Sequence, residues 1–262
     1  MVLAASRLGV LARSVRHKSD KKSLIARLLT GDGSDGQTSH SSLLSDREHV
    51  YELVTHSVRP GEIEPYVKYY ESYVGMMEGK PFNTRLVGSW RNVVGNTDQV
   101  VHLWRHADGY ETSDRIIHAF SNDGDVKKAD NEMGKMLHKR INALLFPFSY
   151  WPEPVPREPH HLYELRSYIL KPGSMIEWGN NWVKGISHRM DHNQAVGGFF
   201  SQIGRLYMVF HLWAYKDLEA RKRIREETWS KPGWDVNVSY TVPLIRRMRS
   251  RLMVATPFSP LK

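Results

Sequence analysis

A strand-and-turn motif occurs twice in this chain, and that repeat limits the possible fold more than any other feature. Tyr51-Glu52-Leu53-Val54 followed by Arg59-Pro60-Gly61 returns 112 residues later as Tyr163-Glu164-Leu165-Arg166 followed by Lys171-Pro172-Gly173. A period this long marks a duplicated domain, since solenoid and propeller repeats span only about 20–50 residues. His102-Leu103-Trp104 matches His211-Leu212-Trp213, and Pro147-Phe148-Ser149 matches Pro257-Phe258-Ser259. The order is collinear and the offset shifts only by loop-sized steps.

Within each copy the apolar period alternates between strand and helix. Val50 to Val58 reads as a half-buried strand, ended by Pro60-Gly61. Ile63, Tyr66, Val67, Tyr70, Val74 and Met77 recur at helical spacing, and Gly79 and Pro81 stop the helix. Thr84–Val94 and Gln99–His106 read as a hairpin around Gly95-Asn96-Thr97-Asp98, followed by a helical region from Asp108 to about Lys135 and a strand over 139–148. The second copy repeats this order. His161 to Leu170 is a strand, and Ser174 with Glu177 fits a capping box. A hairpin turns at Gly204-Arg205, a helix opens at Asp217 and is interrupted at Pro232-Gly233, and Val242 to Ala255 carries the last strand.

The predicted fold is α+β: two tandem ferredoxin-like βαββαβ domains whose sheets pack into a dimeric-type α+β barrel within one chain. The expected boundaries are 49–151 and 161–262. The connector 152–160 holds Pro152, Pro154, Pro156 and Pro159, which makes it extended and semi-rigid. Gly31 through Ser45 is rich in Gly, Ser, Asp and Thr, so 23–48 reads as a flexible linker.

The chain carries a formal charge of +9 over 262 residues. More than half of that excess lies in residues 1–22, where six Lys and Arg face one acid, Asp20. The remainder is too nearly balanced to argue for nucleic acid. Residues 1–19 are acid-free and amphipathic, with Arg7, Arg13 and Arg16 among Leu, Val, Ala and Ser; residues 1–22 read as a mitochondrial transit peptide. With no cysteine, thiolate metal sites, disulfides and cysteine nucleophiles are excluded. No apolar run is long enough to span a membrane. The chain has neither a Walker-type phosphate loop nor a Gly-x-Ser-x-Gly elbow.

Strand alternation defines the candidate site. On the second copy's central strands Glu164, Arg166 and Tyr168 share a face, as do His211 and Trp213; their counterparts are Glu52, Val54 and His56, with His102 and Trp104. Met208, Phe210 and Leu212 form a wholly apolar face that is expected to meet the helices, so the Glu/His/Trp face is expected to line the barrel. A carboxylate and an imidazole in one cavity suit proton transfer. Arg249 and Arg251 are expected to neutralise Glu164, and the run Arg246, Arg247, Arg249, Arg251 reads as structural pairing. If a pocket exists, the second copy is where it is expected. His188 and His192 have the spacing of a metal pair but lack a third ligand and read as a solvated helix end. No cofactor is implied.

From residue 45 onward the chain resembles the NipSnap family. The resemblance rests on Tyr163-Glu164-Leu165-Arg166-Ser167-Tyr168, Lys171-Pro172-Gly173, His211-Leu212-Trp213 and the closing segment Leu252 to Pro260. The segment Arg13 to Lys18 also resembles the family presequence. The resemblance implies a mitochondrial protein, largely of the matrix, on a dimeric α+β-barrel fold. It also implies a role of some members in mitophagy, at the surface of damaged mitochondria, through autophagy adaptors and ubiquitin-like autophagy proteins. It supplies no catalytic mechanism. Phe258 and Leu261, in an aromatic-x-x-aliphatic segment, are the candidate contact for such partners, and Trp90-Arg91-Asn92-Val93 is a second match. Self-association through exposed sheet edges or helices is expected. The leading expectation is therefore a non-enzymatic mitochondrial signalling or adaptor protein. The alternative is a small-molecule-binding protein or monooxygenase-like enzyme using the barrel interior.

Overall fold

The structure, a computed structural model, describes residues 40–262. The expected transit peptide and most of the expected linker lie outside the described residues. A short helix α1 (His40–Leu44) comes first. Leu44 is buried against the second repeat, Ser149 N donates to its carbonyl, and Arg47 pairs with Glu153. The last nine residues of the expected linker, 40–48, are thus held on the fold, with Leu44 as the apolar anchor.

The first repeat comprises β1 (Val50–Val58), α2 (Ile63–Gly79), β2 (Thr84–Val94) and β3 (Gln99–His106). It continues with α3 (Tyr110–Asn122), α4 (Gly124–Lys135) and β4 (Leu137–Pro147). The second comprises β5 (Leu162–Leu170), α5 (Met175–Gly185), β6 (Ala195–Ile203), β7 (Met208–Tyr215), α6 (Leu218–Trp229), α7 (Trp234–Thr241) and β8 (Ile245–Ala255). Each Pro-Gly turn places glycine in the left-handed region, Gly61 at φ 86° and Gly173 at φ 84°. The N–H two residues beyond each proline returns to the residue before it, Glu62 to Arg59 and Ser174 to Lys171. That is a Pro-Gly β-turn, in which glycine takes the positive φ without strain. Asp123 and Asp217 cap α4 and α6 with their carboxylates. The expected capping box does not form: Ser174 Oγ donates to the carbonyl of Lys171 and caps nothing.

Each repeat has the expected ferredoxin-like order, with β1 between β3 and β4 and β5 between β7 and β8. The two sheets join edge to edge through β2–β8 and β4–β6, giving the closed antiparallel barrel β1-β3-β2-β8-β5-β7-β6-β4. Every described strand has two neighbours. The expected free edges for self-association are therefore taken up inside the chain, which removes that liability.

The register corrects the expected sidedness. The barrel interior holds Tyr51, Leu53, Trp90, Leu103, Tyr163, Leu165, Phe210, Leu212 and Met253. The helices cover the opposite face, where Glu52, His56, Glu164, Tyr168, His102, His211, Trp104 and Trp213 lie. Closure explains the inversion. A closed barrel is walled on all sides by its own strands, so its interior takes the most apolar face. Helix-facing positions can be polar because side chains from the helices reach them. Leu261 is 1% exposed in the barrel core and Phe258 packs on Tyr70 of α2. The candidate autophagy contact is thus built into the fold, as is Trp90. Burial of one such side chain contributes about 1.5–3 kcal/mol.

Candidate functional site

The two repeats keep equivalent strand positions and build different sites from them. In the first, a cavity of about 200 Å³ lies between the sheet and α2–α4. Glu52, His56 and Trp104 line it as an expected set, joined by Tyr73, Thr84 and His106. Glu52 Oε1 accepts from Asn142 Nδ2 at 2.7 Å, and Oε2 lies 3.3 Å from His106 Nε2. His106 Nδ1 lies 2.8 Å from Thr84 Oγ1. Burial alone would raise the Glu52 pKa, but the bonds from His106 and Asn142 outweigh it and hold the carboxyl below its ordinary value.

Behind the cavity runs a chain of three short bonds. His56 Nδ1 meets Tyr66 Oη at 2.6 Å, Tyr66 Oη meets His102 Nε2 at 2.7 Å, and His102 Nδ1 meets Ser89 Oγ at 2.9 Å. His102 is stacked on Tyr70 at 3.6 Å between ring centres, and Trp104 Nε1 donates to Tyr70 Oη. His102 thus stands behind the cavity and not in it. Burial, with a lesser push from Arg140, lowers the His56 pKa to about 4, so at neutral pH the ring is neutral. The ring borders the cavity, and its Nε2 makes no hydrogen bond among the described residues. Arg140 pairs with Asp130 at the rim.

In the second repeat Glu164 is fully buried and saturated. Arg221 Nε donates to Oε2 at 2.8 Å, and Arg221 Nη2, Arg166 Nη1 and Ser250 Oγ converge on Oε1 at 2.8, 3.1 and 2.6 Å. Burial opposes ionisation, yet the Arg221 and Ser250 bonds together with the charge of Arg166 hold the Glu164 pKa at about 2. Arg249 and Arg251 are not its partners, contrary to expectation. On β8 it is Ser250 that shares the face of Glu164, and alternation sends both arginines into the barrel. Arg166 also donates to Tyr168 Oη at 2.7 Å.

His211 sits between Trp151 and Trp182, with ring centres 4.6 and 4.5 Å away and no hydrogen-bond partner on either nitrogen among the described residues. Trp151 reaches this place because residue 198 is glycine; a Cβ there would stand 2.4 Å from the indole. A space of about 150 Å³ remains, bordered by Arg166, Tyr168 and Trp213, but Glu164 and His211 do not reach it. Glu164, Tyr168 and His211 do not converge on one pocket. The acid–imidazole cavity belongs to the first repeat.

The remaining candidates are accounted for locally. His188 Nε2 meets the Pro232 carbonyl at 3.1 Å and His192 pairs with Glu227 at 2.7 Å. Among the described residues no three metal-ligating side chains cluster. Sequence reasoning missed His106, Tyr66 and Tyr70. His106 falls two residues after Trp104 on the same strand face, and the two tyrosines lie on the predicted apolar face of α2. Those positions were legible; their contacts with the imidazoles were not.

A tandem ferredoxin-like barrel with a polar cavity under the helices of one repeat defines a class of protein. The NipSnap family profile matches residues 51–152 and again 163–260, one match per repeat. Protein NipSnap of Drosophila melanogaster is 44% identical over 245 residues, 93% of this chain and 90% of its own. A candidate NipSnap protein of Caenorhabditis elegans is 44% identical over 265 residues, 99% of this chain; the chain spans 50% of that relative's length. The chain belongs to the NipSnap family. A solved protein of Lactobacillus acidophilus, described as a candidate monooxygenase, superposes at TM-score 0.59 with 11% identity over 80% of this chain and 95% of its own, which is a likeness of fold.

Proposed function

We propose that this NipSnap protein binds a small, largely apolar molecule of about one ring in the first-repeat cavity and handles a proton on it through His56. The observation that carries this reading is that the His56 ring lines a cavity of about 200 Å³ while its Nδ1 is engaged by Tyr66, which leaves Nε2 as the nitrogen for a ligand. A dry cavity of ~150 Å³ suffices for benzene, so the space fits a single ring. His56, held neutral, accepts at Nε2 when Nδ1 donates to Tyr66, and donates there when Nδ1 accepts. Glu52 stays ionised beside it. Fragment screening by NMR tests the reading. One-ring phenols and heteroaromatics should shift the His56 and Trp104 side-chain resonances in the wild type, and the Trp104 resonance should stay unmoved in His56→Phe. Fragments that leave both resonances unmoved would sink it.

A second reading, a mitochondrial protein acting through protein partners, has its own support. The acid-free leader favours import. Trp229, Val236 and Tyr240 are more than half exposed on α6 and α7, and Val236 and Tyr240 are one turn apart. Large apolar groups exposed together mark interaction surfaces. Partners of the autophagy type, or a second copy of this chain, would then dock on these helices, since Phe258 and Leu261 are packed away. Fractionation and pull-down after mitochondrial depolarisation test it. Retention in the matrix with no autophagy component captured, or capture unaffected by Tyr240→Glu, would count against it.

A further inference from the structure

The mouth of the barrel holds a larger space than either sheet–helix cavity. It measures about 380 Å³ and is walled by strands of both repeats. Small-molecule sites span ~300–1,000 Å³. Its position follows from alternation along β8. Met253 is fully buried in the barrel core, so Arg251, Arg249 and Arg247 share its inward face and climb from core to rim. Arg205, in the β6–β7 turn, adds a fourth guanidinium. No Asp or Glu lines the space, and none of the four arginines has an ion-pair or hydrogen-bond partner among the described residues. Arg251 is the deepest, opposite Leu165, and its Nε is buried without a partner.

Such a cluster is costly. A guanidinium withdrawn from water needs a counter-charge, and like charges in one cavity repel. Burial and the neighbouring Arg249 charge together lower the Arg251 pKa to about 10. In the second repeat the buried Glu164 carboxylate is neutralised closely, and buried Arg189 is covered by Tyr215 and the rings of Trp213 and Trp234; Arg251 has neither kind of cover. Arg205, Arg247 and Arg249 are exposed at the rim and only Arg251 is partly withdrawn from water; an unpaired Arg251 at the foot of a row of like charges points to a counter-charge supplied from outside. Arginine's planar fork suits carboxylate and phosphate oxygens. The rest of the wall is of another kind: Leu53, Phe210 and Met208 supply apolar surface, while Thr55 and Gln99 supply neutral hydrogen-bonding groups.

We propose that the barrel mouth is a binding site for an organic anion with an apolar body and a phosphate or multiple carboxylate oxygens. The charged oxygens lie along Arg247, Arg249 and Arg251, and the apolar body lies against Leu53 and Phe210. The site is separate from the Glu52 cavity, and neither depends on the other. It closes only when both repeats meet, so the duplication creates it.

The test is calorimetric titration of the full chain with octyl phosphate, suberate, inorganic phosphate and octanol. Octyl phosphate should bind at least about tenfold tighter than inorganic phosphate and octanol, since each of these lacks one half of the match. Suberate separates the carboxylate source from the phosphate source: binding of either organic anion supports the site. Arg249→Gln and Arg251→Met should each weaken binding by about tenfold or more. Arg251→Met should also raise the thermal midpoint of the unliganded protein, because it removes an uncompensated buried cation. A merely structural arginine would lower it. Equal binding by wild type and both variants, no binding of either organic anion, or inorganic phosphate binding as tightly as octyl phosphate would overturn the proposal. Should Arg251→Met fail to fold, Arg249→Gln decides alone, with ligand-induced thermal stabilisation as its second readout.

Discussion

The two repeats began from one sequence and now treat the same glutamate in opposite ways. Glu52 is bonded to a neutral amide and an imidazole and borders a cavity. Glu164 is fully buried under two arginines and a serine. The difference is set two residues along the strand. Val54 in the first copy leaves space beside the carboxylate; Arg166 in the second fills that space and neutralises it. His56 against Tyr168 completes the contrast, since the first offers a free ring nitrogen and the second accepts from Arg166. A cavity survives where the repeat supplies no internal cation. A saturated ion network stabilises the other copy and leaves nothing for a ligand to do.

The largest expected effect contrasts the two carboxylates. Glu164→Ala leaves Arg166 and Arg221 without their counter-charge and should cost about 3–5 kcal/mol in urea unfolding, whereas Glu52→Ala should cost about 1–2 kcal/mol. Equal costs would show that the first repeat depends on its glutamate as much as the second does.

The pH dependence separates the copies next. The folded Glu164 pKa is depressed to about 2, so its stabilisation is present above the unfolded value near 4.5 and is lost as pH falls from there toward 2. The folded His56 pKa is also depressed, to about 4. Its neutral form is the one the fold accepts, so that stabilisation is present above pH ~6.5 and is lost as pH falls from 6.5 toward 4. Each term amounts to about 3 kcal/mol. Chemical denaturation across pH 2–8 should show the stability slope between 6.5 and 4 reduced in His56→Phe and the slope between 4.5 and 2 reduced in Glu164→Gln. The reverse assignment would break the comparison.

A smaller effect tests the aromatic cover of the second repeat. The Cβ of Gly198→Ala would stand 2.4 Å from Trp151, so the indole must move off His211; the expected cost is about 1–3 kcal/mol, with a red shift in tryptophan fluorescence as Trp151 loosens. The smallest effect on stability should come from converting one repeat toward the other. Val54→Arg places a guanidinium beside Glu52, should change stability by less than about 1 kcal/mol and should abolish fragment binding in the first cavity. Retained binding would mean that the site lies elsewhere.

Much of the fold was legible because it rests on local rules. The Pro-Gly turns, the strand ranges of β1, β2 and β3, the Asp217 cap and the helix stops at Gly79 and Pro232 are short-range consequences of backbone geometry, whereas the region expected to run from Asp108 to Lys135 is broken by the Asp123 cap into α3 and α4. The tandem ferredoxin-like order followed from them. The candidate site was legible as a set of residues sharing strand faces, and three of them, Glu52, His56 and Trp104, do share a cavity. Its location was not legible. Alternation says which side chains share a face but not which face is inside.

That division has one physical reason. The sequence by itself determined the repeat, the element order, the faces and the family, all of which depend on neighbours within a few residues or on the match between copies. Only the tertiary structure decided that β2 meets β8 and β4 meets β6. Closing the barrel is a long-range pairing, and it turned the Tyr-Leu face inward, the Glu-His face toward the helices and the arginines of β8 into the mouth. It also decided which glutamate meets a guanidinium, because Arg221 comes to Glu164 from a helix 57 residues away in sequence.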